Sequence, residues 1–153
     1  MLARGGELRD DRPERAIDVG REWVSVWGIT EVPDGVRLQL ALSGVDAITR
    51  AELLKALRVR VQSLVTSMES TDPKTHGVEV ATAESVTGLL DRAAPLPHGW
   101  ARVRRGKHLV MRLWARLTVR RADLEAALGA PLANTGRDVA ELIDGLALEQ
   151  ETP

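Results

Sequence analysis

The chain has 153 residues, 44% of them hydrophobic and 28% charged, with a formal net charge of −1. That profile suits one globular domain with a sizeable core and argues against a wholly disordered chain. There is no cysteine, which excludes disulfides, thiolate zinc sites, iron–sulfur clusters and thiol nucleophiles; the aromatic side chains are four tryptophans, Trp23, Trp27, Trp100 and Trp114.

Residues 1–21 are charged, contain Gly5, Gly6 and Pro13, and lack an apolar period. They read as a mobile N-terminal arm with one helical turn near Arg15–Val19. Residues 22–148 read as a single α+β domain, followed by a tail at 149–153. Its first element is a β-hairpin. The β-branched and aromatic run 23–32 forms one strand, Pro33-Asp34-Gly35 supplies turn chemistry, and the alternation of Leu38, Leu40 and Leu42 makes a second strand. A helix follows, with Thr49-x-x-Glu52 as a capping box and Leu54, Leu57, Val61, Leu64, Val65 and Met68 as its apolar stripe.

Residues 69–77 read as a polar loop broken by Pro73, and 78–81 as a short strand. Thr82 is placed to cap a helix that stops before Pro95. Residues 99–119 form a second hairpin around Gly106-Lys107, with Leu109, Met111, Leu113, Ala115 and Leu117 alternating onto one face. A short helix over 121–128 is ended by Gly129 and Pro131. Thr135 caps a last helix over 135–148, with Val139, Leu142, Ile143 and Leu146 as its stripe.

A shift of 71 residues aligns 28–57 with 99–128 without a gap, with ten identities that include Gly28/Gly99, Gly35/Gly106, Arg50/Arg121 and Leu57/Leu128. The predicted fold is therefore α+β, with two β-hairpin–helix repeats, about 22–68 and 99–129. They share a four-stranded antiparallel sheet with helices on one face.

The net charge is a cancellation. Residues 93–122 carry eight basic and no acidic side chains, whereas 123–153 carry seven acidic and one basic. On the second hairpin, period two sends Arg112, Trp114 and Arg116 away from the leucines, and Trp100, Arg102 and Arg104 are assigned to the same face. Arginines interleaved with tryptophans suit phosphate neutralisation and base stacking. They equally suit guanidinium groups lying on indole rings of an ordinary sheet, or pairing with an acidic segment. On the first hairpin the outward set, Trp23, Trp27 and Ile29, is apolar enough to mark an interface.

The catalytic inventory is thin. His76, His98 and His108 have no metal-ligand spacing, and no Gly-x-Ser-x-Gly or Walker motif is present. Asp138, Glu141 and Asp144 share a helix face that reads as solvated. No secretory h-region and no bilayer-spanning run occur, so a cytoplasmic location is expected. Together these point to a non-enzymatic protein-binding or scaffolding module without cofactor or metal. It would self-associate or dock a protein partner through its sheet face, and no membrane role is expected. The alternative is a nucleic-acid-binding protein using the second hairpin.

Overall fold

A computed structural model describes residues 3–6, 8, 16–67, 73–92, 96–133 and 138–148. The elements run β1 (Ala3–Gly6), β2 (Ile17–Val19), β3 (Trp23–Pro33), α1 (Leu38–Ser67), α2 (Pro73–Asp91), β4 (His98–Arg105), β5 (His108–Arg120), α3 (Arg121–Leu132) and α4 (Val139–Leu148). The fold is α+β: a five-stranded antiparallel sheet in the order β1-β4-β5-β3-β2, with four helices packed against it.

Three expectations are corrected. The stretch read as an arm contains β1 and β2, one at each edge of the sheet, and the helical turn expected near Arg15–Val19 is β2. The first hairpin does not form, because Leu38–Leu42 opens a 30-residue helix and Thr49 lies inside it rather than capping it. Residues 78–81 are helical within α2, which starts at Pro73, where a missing backbone N–H costs nothing. Met68, residues 69–72, Thr135 and the tail 149–153 lie outside the described residues.

The physical reason for the long helix is in its sequence. None of residues 38–42 is β-branched, and Leu, Gln and Ala favour the helix. The buried positions Ala41, Val45, Thr49, Leu53, Leu57 and Val61 recur every four residues, whereas Leu40 is 67% exposed. At 3.6 residues per turn such a row drifts by about 40° per step. It meets β3 where Thr49 lies against Gly28, and α4 where Arg60 lies against Gly145. Thr49 is tolerated in the core because its hydroxyl donates to the Val45 carbonyl at 2.7 Å.

Because the first hairpin is absent, the proposed repeat fails at its second strand: 38–42 is helix and 109–113 is strand. The aligned glycines also face opposite ways. Gly28 abuts α1, and Gly99 abuts Trp114 and Leu8.

The main core joins one sheet face to all four helices. Val24, Val26, Leu113, Ala115 and Leu117 meet Leu53, Leu57, Leu90, Leu124, Leu128, Leu142 and Leu146. A second, smaller cluster lies on the opposite face: Trp27, Ala101 and Trp114, with Leu8, Ile29 and Val103 against it and no helix residue among the described ones.

Candidate docking face

The two-residue turn Gly106–Lys107, with Gly106 at φ +63, sets the register of β4 on β5 so that Arg105 faces His108. Directly opposed residues of an antiparallel pair project to the same side. Trp100, Arg102 and Arg104 oppose Leu113, Met111 and Leu109, which puts them on the side of the helix layer. The expectation that they share a face with Arg112, Trp114 and Arg116 is therefore corrected. A two-residue turn pairs even positions with odd ones, so counting even numbers along both strands mixes the two faces. Trp100 is partly buried against the main core, Arg102 pairs with Asp34 at 3.0 Å, and Arg104 is exposed near the turn.

Arg112, Trp114 and Arg116 instead join the outward residues of β3. The opposed pairs are Trp23–Arg120, Trp27–Arg116, Ile29–Trp114 and Glu31–Arg112. Two candidate sets that were separate in the sequence thus form one array across β3 and β5. Arg4, Ala101, Val103, Arg105 and Arg120 belong to it through the register and were missed. The turn length at Gly106–Lys107 was the signal for Ala101, Val103 and Arg105; nothing in the sequence marked Leu8.

The centre of this face is closed. Trp27 is 6% and Trp114 5% exposed, whereas Trp23 at the rim is 47% exposed. Trp114 Nε1 donates to the Leu8 carbonyl at 2.8 Å, and the Leu8 amide donates to the His98 carbonyl at 3.1 Å. The Arg116 guanidinium lies 5.6 Å from the Trp27 ring centroid, and that of Arg120 5.7 Å from Trp23. These cation–π pairs account for two of the arginines as packing partners of the tryptophans. Arg105 Nε donates to Glu31 at 3.0 Å, and this hydrogen bond, aided by the charges of Arg105 and Arg112, holds the Glu31 carboxyl below its ordinary pKa.

Two of the three carboxylates singled out on the last helix have structural partners. Asp138 caps α4 by accepting from the Ala140 amide at 2.9 Å, and Asp144 pairs with Arg121 at 2.8 Å. The described residues contain no group of three His, Asp or Glu side chains placed to hold a metal, and no helix long and apolar enough to cross a membrane. An open apolar groove of about 500 Å³ runs between α1 and α2, lined by Leu54, Leu57, Val61, Val80 and Val86. No family model, no curated protein and no solved structure matches the chain.

Proposed function

We propose that this protein is a non-enzymatic docking module whose sheet face takes an acidic polypeptide partner. The observation that carries this reading is the array on β3 and β5. Arg112, Arg116 and Arg120 run down β5, and the exposed ring of Trp23 stands opposite Arg120 at the rim. Against them stand Glu31, already held by Arg105, and Asp18 at the β2 edge. A cationic face with an aromatic rim attracts anionic surfaces and supplies an anchor residue. A protein is favoured over a nucleic acid because Trp27 and Trp114 are covered and do not offer free ring faces for base stacking.

The test uses the full chain, with poly-L-glutamate and a single-stranded oligonucleotide as probes across a salt series. Poly-L-glutamate is expected to bind at low salt, and Arg112→Glu with Arg116→Glu to weaken it at least about tenfold, two charge contacts being lost. No binding at low salt overturns the reading. Tighter binding of the oligonucleotide, with log K falling steeply against log salt, transfers the face to nucleic acid.

A further inference from the structure

Leu8 of the chain's own N-terminal segment packs on the apolar centre of the face, and the fit of that segment on β4 is selective. β1 adds to β4 as an edge strand of four residues, with Gly5 opposite Trp100 and Gly6 opposite Gly99. A Cβ on Gly5 would lie 2.7 Å from the Trp100 indole. A Cβ on Gly6 would lie 2.5 Å from the His98 carbonyl oxygen and 2.8 Å from Gly99 Cα, and Gly6 sits at φ +88. From the receiving side, a Cβ on Gly99 would meet the Leu8 carbonyl and the Trp114 ring. The three glycines let two backbones close together so that the Trp114 indole N–H reaches Leu8.

We propose that this surface is a binding site for the segment that carries Gly5, Gly6 and Leu8, filled here in cis and open to the same segment from a second copy of the chain. It does not depend on the acidic-partner reading. The segment is weakly tethered: one flank of a short strand is paired, two of its four residues are glycines, and Leu8 is its half-buried apolar anchor. Leu8 packs against the cluster of Trp27, Ala101 and Trp114, so its departure bares apolar surface that must be covered again. The glycine requirement at positions 5 and 6 rejects peptides with side chains there and admits this chain's own segment. Reciprocal exchange of such a segment gives a closed two-fold dimer without any new contact chemistry.

Two full-length variants test this, Gly6→Val and Leu8→Asn, with a synthetic peptide of residues 1–9 as probe. Both are expected to keep the far-UV circular dichroism of the parent and to shift tryptophan emission to the red. Both are expected to bind the peptide saturably, with return of the emission. The parent chain, whose own segment competes, binds it at least about tenfold more weakly. A peptide carrying Gly6→Val does not bind. Loss of fold in both variants would show the segment to be an integral part of the core and overturn the proposal. A folded variant that ignores the parent peptide overturns it equally.

Discussion

At the scale of single residues, Gly28 shows how much a missing side chain decides. Gly28 sits where α1 crosses β3, and a Cβ there would lie 2.9 Å from Thr49 Cα. That contact is with backbone, so a rotamer change cannot relieve it. Gly28→Ala is expected to destabilise the protein by about 2–3 kcal/mol, measured as a shift in the urea midpoint. An unchanged midpoint would mean that α1 does not approach β3 this closely. Glu31 makes a prediction in pH. Its carboxyl is held below the ordinary value by the Arg105 hydrogen bond first, so the pairing stabilises the fold above the ordinary carboxylate pKa. That contribution disappears as pH falls through the lowered folded-state value. An NMR titration should find Glu31 protonating below the ordinary carboxylate range, and Arg105→Gln should return it there. The role of Gly28 could not be read from local sequence, since it depends on what crosses above it.

At the scale of elements, the second hairpin was legible and the first was not. Residues 98–120 alternate on both strands and contain a glycine where φ must be positive. Residues 38–42 alternate too, but a five-residue alternation of leucines also fits the start of a helix whose buried row continues at every fourth position. Length and the lack of β-branching were the discriminating signals. Gly44, inside α1 with no neighbour within 4 Å of an added Cβ, gives the opposite prediction to Gly28. Gly44→Ala should raise stability by about 0.5–1 kcal/mol in the same urea assay. An unchanged or lowered midpoint would contradict an open helical position at Gly44. Near the end of α3, Pro131 cannot donate to Ala127, and the Ser85 hydroxyl of α2 donates to that carbonyl instead. Ser85→Ala is expected to cost about 1–2 kcal/mol, and a double variant with Pro131→Ala to recover part of it by restoring the intrahelical bond.

At the scale of the whole molecule, Arg121 ties separate parts together. Its guanidinium donates to the Gly20 carbonyl at 3.1 Å, to the Ala140 carbonyl at 3.1 Å and to Glu125 at 3.2 Å, and it pairs with Asp144 at 2.8 Å. One side chain thus links the turn after β2, α3 and α4. Arg121→Met keeps much of the side-chain volume but orphans two carbonyls, and should cost about 2 kcal/mol by thermal or urea denaturation. Hydrogen exchange should rank the strands by position. The backbones of β5 and β3 are central and slowest, and β1, paired on one flank over four residues, is fastest. Protection of β1 equal to that of β5 would contradict the edge placement.

Composition, period and turn chemistry determined much of this protein by themselves: an aliphatic core, an α+β mixture, the β4–β5 hairpin, the basic block, and the outward direction of Trp23, Trp27 and Ile29. These are local properties, set by residues a few positions apart. The tertiary structure decided the rest. It placed the N-terminal residues at both sheet edges, set β3 beside β5, and packed Leu8 against the cluster that holds Trp27 and Trp114. Each of those outcomes depends on pairing between segments up to 106 residues apart, as in the bond from Trp114 to Leu8, and no local pattern encodes which distant backbone a glycine will admit.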